Sequence, residues 1–222
     1  MFICFEGVDG AGKSTQARML LQHLVADGYS AELVADPGTT QIGVAIRQLL
    51  LTNDNPITSV AQMLLFSAAR AELANYIASL PKKTIVVCDR WILSTLVYQG
   101  VINGIDETLI RSVFAATKCQ LPDICFLLDL SPTSARKRMG APRDRYERKS
   151  LSDRKKMRQA YLDFARGDYA HETHIVNAER SVEATHRHAY KFVCRMAQQA
   201  GIKPKKTEQL NVSYRRSKTA TR

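Results

Sequence analysis

The sequence predicts a three-layer α/β/α sandwich, doubly wound around a sheet of about five parallel strands. Short apolar runs rich in β-branched residues recur along the chain, and long stretches with helical periodicity separate them. Strands that alternate with helices favour parallel pairing through right-handed crossovers. Residues 85–88 are apolar without alternation, which is typical of a strand covered on both faces. Together these observations indicate one α/β domain.

The predicted strands cover residues 1–5, 31–35, 84–88, 124–130 and 174–176. Residues 14–26, 59–80 and 153–166 have helical spacing of apolar side chains; in the second, Val60, Leu64, Ala68 and Ala71 share one face. Ligands of doubly wound folds bind beyond the carboxyl ends of the strands. Polar residues follow those ends at 6–9, 36, 89–90 and 129, so we expect the functional site there.

The first strand runs into residues 7–14 (GVDGAGKS), which match the phosphate-loop pattern G-x-x-x-x-G-K-[ST] in full. Backbone N–H groups and the dipole of the following helix favour a polyphosphate at such a turn. Lys13 is expected to reach the β- and γ-phosphates, and Ser14 to ligate magnesium. A glycine-rich turn without a ligand is the alternative, but the flanking strand and helix argue against it. The candidate ATP-binding residues here are Gly7, Val8, Asp9, Gly10, Ala11, Gly12, Lys13, Ser14 and Thr15.

The third predicted strand ends in Asp89 and Arg90. The aspartate is a candidate magnesium ligand, directly or through water. The arginine is a candidate for holding a second phosphate in a bidentate fork. A local Asp–Arg pair, or a helix N-cap at Asp89, is the alternative interpretation.

Positive charge is concentrated in two segments. The chain has a formal net charge of +11, yet residues 136–158 alone contain eleven Lys/Arg against three acids, and residues 201–222 contain seven against one. Gly140 and Pro142 interrupt the helical pattern inside the first segment, so residues 136–150 are predicted to form a mobile basic lid of the kind that brings arginines to a transferring phosphoryl group. A solvated basic helix face, in contact with nucleic acid, is the alternative.

The domain is predicted to cover residues 1–202, with residues 203–222 as a basic, flexible tail. Five cysteines, odd in number and without a C-x-x-C pair, indicate reduced thiols in a cytoplasmic protein. Met1 leads directly into the first strand, which leaves no room for a signal peptide, and no apolar run reaches membrane-spanning length. Phe66 and Arg70 share a helix face and are candidates for clamping a planar ring, although a Phe in such a place is more often part of the core.

Three segments together resemble the thymidylate kinase family. Residues 5–16 (FEGVDGAGKSTQ) are similar to its opening motif, and residues 65–71 (LFSAARA) are similar to its base-binding helix. Residues 89–91 (DRW), 93–95 (LST) and 98–100 (YQG) are similar to its second signature. The matches stay in register from residue 1 to about residue 180. The resemblance implies a P-loop kinase fold, a homodimer, and magnesium-dependent transfer of the ATP γ-phosphoryl group to dTMP.

The resemblance also assigns roles to particular positions. Asp9 would contact the sugar 3′-hydroxyl near the metal, Tyr98 would crowd the 2′ position, and Ala178 would lie beside adenine. Family members with Gly at position 10 use lid arginines, which makes Arg143 and Arg145 the leading catalytic donors. The implied catalytic residues are these two arginines with Lys13, Arg90 and Asp9. Asp9 and Glu147 are further metal candidates after Ser14 and Asp89. The implied acceptor-binding residues are Asp9, Asp36, Arg47, Phe66, Arg70, Arg90, Thr95, Tyr98 and Gln99.

One departure from the family pattern concerns residues 35–40. Many bacterial relatives read Arg-Glu-Pro-Gly-Gly-Thr there, whereas this chain has Ala35 and Asp36 in the first two positions. Two alternative functions therefore stay open at this point. One is a deoxynucleoside monophosphate kinase with a broader or shifted choice of acceptor. The other, more remote, is a nucleic-acid-binding P-loop ATPase that uses its basic segments as a binding surface. A basic tail that contacts nucleic acid would be compatible with a kinase as well.

Overall fold

The computed structural model describes residues 1–52, 56–117, 119–141, 146 and 148–205. Within these residues, five parallel strands form one sheet in the order β2-β3-β1-β4-β5. The doubly wound fold with about five parallel strands is thereby confirmed. The strands are β1 (Phe2–Glu6), β2 (Ala31–Ala35), β3 (Ile85–Asp89), β4 (Ile124–Asp129) and β5 (Glu172–Asn177).

The helices alternate with the strands and agree with the predicted stretches to within a few residues. One of them, α7, begins earlier than predicted because the Ser150 hydroxyl caps it, accepting a bond from the Asp153 N–H at 3.0 Å. The helices are α1 (Lys13–Ala26), α2 (Gln41–Thr52), α3 (Ser59–Ser79), α4 (Ile92–Thr95), a π-helical segment (Leu96–Ile102), α5 (Glu107–Ala116), α6 (Pro132–Met139), α7 (Leu151–Phe164) and α8 (Val182–Gln199).

Side chains of the central strands alternate between two helical layers. On one face of β1, the Phe2 ring lies edge-on to Trp91 at 5.0 Å, next to α4. On the other face, Phe5 stacks on Phe126 of β4, whose ring meets Phe192 of α8 at 6.1 Å. Because successive side chains of a strand point to opposite faces, α4 and α8 lie on opposite sides of the sheet. The sheet is therefore the middle layer of three.

The described chain ends at the edge of the sheet opposite to the phosphate loop. After α8, Ile202 is buried, and the Lys205 N–H donates to the carbonyl of Gly28, which precedes β2, at 2.8 Å. In the described part of the chain, no helix combines the length and apolarity needed to cross a membrane. Residues 142–145 and 147 of the predicted lid, and residues 206–222 of the predicted tail, lie outside the described residues, so the division at residue 202 stays a prediction.

Candidate active site

A cavity of about 770 Å³ opens at the carboxyl ends of β1, β2 and β3 and extends to the start of α8. It brings together most of the predicted site residues that the structure describes. Gly7 and Val8 lie beneath the cavity rather than in its wall. Arg143, Arg145 and Glu147 lie outside the described residues. The predicted residues in the wall are Asp9, Gly10, Ala11, Gly12, Lys13, Ser14, Thr15, Asp36, Arg47, Phe66, Arg70, Asp89, Arg90, Thr95, Tyr98, Gln99 and Ala178.

The phosphate loop turns through Gly12, which takes a left-handed conformation as the N-cap of α1. The Lys13 side chain folds back across the loop, and its Nζ donates to the Val8 carbonyl at 2.9 Å. Burial, followed by the nearby positive charge of Arg90, lowers the pKa of Lys13 to about 8. A bound polyphosphate would oppose both effects, so the electrostatics of Lys13 suit an anionic ligand.

Gly10 lies against the end of α6. Its φ is +82°, and a Cβ at this position would lie 2.7 Å from the Ala135 carbonyl oxygen and 2.9 Å from Met139 Cγ. Both distances are shorter than real Cβ contacts allow. A side chain, and an arginine above all, does not fit here without displacing α6. Position 10 therefore contributes no side-chain charge to the loop.

Ser14 and Asp89 form the part of the site that fits a divalent cation. The Ser14 hydroxyl donates to Asp89 Oδ2, and Asp89 Oδ1 is buried without a hydrogen-bond partner among the described residues. The described residues contain no cluster of three His, Cys, Asp or Glu side chains able to hold a metal by themselves. Magnesium beside a nucleotide needs only one or two protein ligands, because phosphates and water complete its coordination. The donor set fits such a site.

Arg90 lies between the phosphate loop and the aromatic end of the cavity. Its backbone has φ +75°, a rare conformation for a residue other than glycine, and its N–H donates to the Phe5 carbonyl at 3.0 Å. Its guanidinium pairs with Asp9 and donates to Ser94 Oγ at 3.0 Å. Asp9 also accepts from the Tyr98 hydroxyl. Burial alone would raise the pKa of Asp9, but Arg90 and then Lys13 outweigh it and hold that pKa below its ordinary value.

Asp89 and Arg90 do not pair with each other in the structure. Asp89 faces Ser14, Arg90 faces Asp9, and the N-cap of α4 is Trp91. The local alternatives for this dipeptide are therefore wrong.

Sequence reasoning gave no role to Glu6, which supports Arg90 from below. Its carboxylate is fully buried and accepts from the Trp91 N–H at 2.7 Å and from the Ser94 N–H at 3.1 Å and hydroxyl at 2.7 Å. Burial raises the pKa of Glu6, while these donors act in the opposite direction. The carboxylate thus fixes the turn that presents Arg90. The available signal was a charged residue at the end of an otherwise apolar strand.

The far end of the cavity is aromatic and rich in hydrogen-bond donors. Phe66 and Arg70 reach it from α3, Thr95 from α4, and Tyr98 and Gln99 from the π-helical segment. Gln99 Nε2 is buried without a hydrogen-bond partner among the described residues. Sequence reasoning also missed Tyr146, whose ring lies 5.8 Å from Phe66 and 6.1 Å from Tyr98, and whose hydroxyl donates to Gln62 at 3.0 Å.

The opposite end lies beside Ala178, between β5 and α8. Arg138, inside the predicted lid range, belongs to α6 and donates to the Ala178 carbonyl at 2.8 Å, and Arg180 also lines the wall there. Arg47 donates to the Pro37 carbonyl at 2.9 Å on the rim between the two ends. The cavity therefore has two ends joined by the phosphate loop and Arg90.

The parallel sheet, the phosphate loop at its carboxyl edge and the helical layers on both faces define a P-loop protein of the kinase type. The chain belongs to the thymidylate kinase family, since the model of that family matches residues 5–189.

Curated relatives agree with this assignment. The chain is 42% identical over 177 residues to the thymidylate kinase of Pelodictyon phaeoclathratiforme, covering 73% of this chain and 82% of the relative. It is 36% identical over 196 residues to that of Caldanaerobacter subterraneus, covering 86% and 94%. It is 40% identical over 198 residues to that of Symbiobacterium thermophilum, covering 87% and 92%.

Proposed function

We propose that the protein transfers the γ-phosphoryl group of ATP to dTMP, forming ADP and dTDP for nucleotide biosynthesis. The observation that carries the proposal is a single cavity that contains a phosphate loop at its centre and an aromatic, donor-rich pocket at one end. Membership of the thymidylate kinase family and the names of its relatives support dTMP as the acceptor.

The donor half is assigned to the phosphate loop. Lys13 and the loop amides would hold the ATP phosphates, and Ala178 would lie beside adenine. Ser14 and Asp89 would hold Mg²⁺, which supplies charge neutralisation at the β- and γ-phosphates when bound. Asp9 and, on sequence grounds, Glu147 are proposed to assist in positioning the metal.

The acceptor half is assigned to the side chains between Arg90 and Phe66. Arg90 and Arg47 would hold the acceptor phosphate, and Asp9 would receive the sugar 3′-hydroxyl. Tyr98 would exclude a 2′-hydroxyl, and the bond from its own hydroxyl to Asp9 supports this assignment. Phe66 would stack on thymine, whose polar edge would meet Arg70, Thr95 and Gln99. Asp36 is bonded to Arg70 and belongs to the same half.

Phosphoryl transfer requires in-line alignment and neutralisation of charge more than covalent chemistry. Because Gly10 offers no side chain, we propose on sequence grounds that Arg143 and Arg145 supply the remaining positive charge. The acceptor phosphate is already an anion, so the mechanism assigns no general base.

We further propose that the enzyme is a cytoplasmic homodimer with its five cysteines reduced. Exposed apolar side chains on neighbouring helices support a self-complementary interface. On α2 these are Ile42, Val44 and Leu49, and on α3 they are Val60 and Leu64. Sedimentation of the protein would test this, and a monomer at all concentrations would contradict it. Contact of the basic tail with nucleic acid is not needed for the reaction.

The decisive experiment is a panel of nucleoside monophosphates incubated with ATP and Mg²⁺, with formation of the diphosphate as the readout. We expect the highest kcat/KM for dTMP. A dTMP rate no higher than the rates for dCMP or dGMP would favour the kinase of broader acceptor choice. ATP hydrolysis that depends on added DNA or RNA would favour the P-loop ATPase. As a loss-of-function variant in the same assay, Lys13→Ala should lose at least about 3 kcal/mol of transition-state stabilisation relative to wild type.

A further inference from the structure

A buried ion pair lies behind the aromatic end of the cavity. Asp36 follows β2 directly, and its Oδ2 accepts from Arg70 Nε of α3 at 2.5 Å. The two side chains are only 0% and 4% exposed, respectively. A buried charge without a partner is strongly unfavourable, so each of these groups depends on the other.

Two more contacts restrain the Arg70 guanidinium. Its Nη2 donates to Thr95 Oγ1 at 2.7 Å, and the group lies 5.6 Å from the centre of the Trp91 ring. A guanidinium has five N–H donors, of which the bonds to Asp36 and Thr95 use two. The remaining donors make no hydrogen bond to any other described residue. Arg70 is therefore held in one plane while most of its donors stay available at the cavity wall.

The hydrogen-bond groups at this end of the wall include one buried acceptor without a partner among the described residues, Asp36 Oδ1, which belongs to the residue that holds Arg70. Gln99 Nε2, also buried and without a partner among the described residues, adds to the donors of Arg70. A 4-oxo pyrimidine presents an acceptor at its polar edge, whereas a 4-amino pyrimidine presents donors at the same place. Because Asp36 holds Arg70 from the side away from the cavity, the guanidinium cannot rotate away from a 4-amino group. A 4-amino pyrimidine would therefore bind with an unfavourable contact between two donors.

We propose that Asp36 is a positioning residue that sets the selectivity of the acceptor site for 4-oxo over 4-amino pyrimidines by fixing Arg70. The inference rests on the proposed function, because it concerns the base of the acceptor. It also gives a role to the carboxylate that is one methylene shorter than the glutamate of many bacterial relatives.

The test is Asp36→Asn, which keeps the shape of the side chain and removes its charge. Kinetics are measured with dTMP, dUMP and dCMP at saturating ATP. We expect the ratio of kcat/KM for dTMP to that for dCMP to fall at least about ten-fold, the scale of a lost charged hydrogen bond. The fall should appear mainly as a higher KM for dTMP, with the KM for ATP unchanged. The ratio of dTMP to dUMP should also stay unchanged, since both bases carry the 4-oxo group.

Asp129→Asn is the matched control. Asp129 ends β4 at the same edge of the sheet and pairs with Arg158 through two bonds of 2.6 and 2.8 Å, away from the cavity wall. Loss of its charge should leave the ratio of dTMP to dCMP unchanged. A purely structural role for Asp36 would instead lower kcat/KM for all three substrates by one factor in Asp36→Asn, and that result would overturn the inference.

Thr95→Val provides a second variant if Asp36→Asn does not fold. It removes the other hydrogen bond to the guanidinium without removing a charge, and should shift the ratio of dTMP to dCMP in the same direction by a smaller factor. An unchanged ratio in a folded Thr95→Val protein, with Asp36→Asn unfolded, would count against the inference. Wild-type enzyme without a preference for dTMP over dCMP would refute the proposed function itself, before any variant is measured.

Discussion

Replacement of Gly10 by alanine tests whether α6 closes over the phosphate loop as the structure has it. The residue has φ +82°, and a left-handed conformation costs a residue with a Cβ about 1–2 kcal/mol. The new Cβ would lie 2.7 Å from the Ala135 carbonyl oxygen, a backbone atom that can retreat only if α6 moves. Overpacking of this kind costs about 1–3 kcal/mol. The expected loss in the free energy of unfolding is therefore about 2–5 kcal/mol.

Gly12→Ala is the matched control within the same loop. Gly12 has φ +96°, but a Cβ there would meet no atom within 4 Å. Only the conformational cost applies, about 1–2 kcal/mol. The difference between the two variants isolates the contact with α6.

Thermal unfolding of the ligand-free protein, followed by circular dichroism, measures both variants. For a chain of this size, 1 kcal/mol corresponds to about 2–4 °C in Tm. Gly10→Ala should melt about 4–20 °C below wild type, and Gly12→Ala about 2–8 °C below it. If the two variants melt within about 1 °C of each other, α6 does not constrain Gly10 and the reasoning is refuted.

Four other predictions concern charge, burial and the tail. Because the pKa of Lys13 is lowered to about 8, ATP affinity measured by calorimetry should fall as pH rises through that value, and Lys13→Arg should abolish this slope. Burial and His23 lower the pKa of His186, so the folded state binds fewer protons than the unfolded state. The free energy of unfolding should therefore decline as pH falls below about 6.5. Over the same pH range, the Tm of His186→Gln should decline less than the Tm of wild type. Removal of residues 206–222 should leave kcat/KM for dTMP within about two-fold, since the described chain ends at Lys205, remote from the cavity; a larger loss would give the tail a catalytic role. Thiol titration of the native enzyme should leave three sheet cysteines unreacted until denaturant is added, namely Cys4, Cys88 and Cys125.

Local patterns predicted the elements whose apolar runs are continuous. The run at 31–35 coincides with β2, and the phosphate loop lies between β1 and α1 as its spacing requires. The edge strand β5 was predicted only at 174–176, whereas it covers Glu172–Asn177. Its ends are exposed and polar, so they lack the apolar signal on which the prediction depended. The π-helical segment was missed because its geometry depends on tertiary packing rather than on a distinct local period.

Contacts between distant segments could not be predicted in the same way. Arg90 and Asp9 are 81 positions apart, and Arg70 and Asp36 are 34 apart. The first pair forms because β3 lies beside β1, and the second because α3 packs near the end of β2; neither arrangement was predicted. The sequence identified these four residues as candidates. The partners of their side chains required the topology.

The bond from Lys205 to the carbonyl of Gly28 has a practical consequence. It anchors the described end of the chain at the amino-terminal edge of the sheet, whereas the cavity opens at the carboxyl edge. A biotin or a sensor surface coupled at Lys205 itself would therefore lie on the side of the molecule away from the cavity. Immobilisation through this position would thus leave the mouth of the cavity unobstructed.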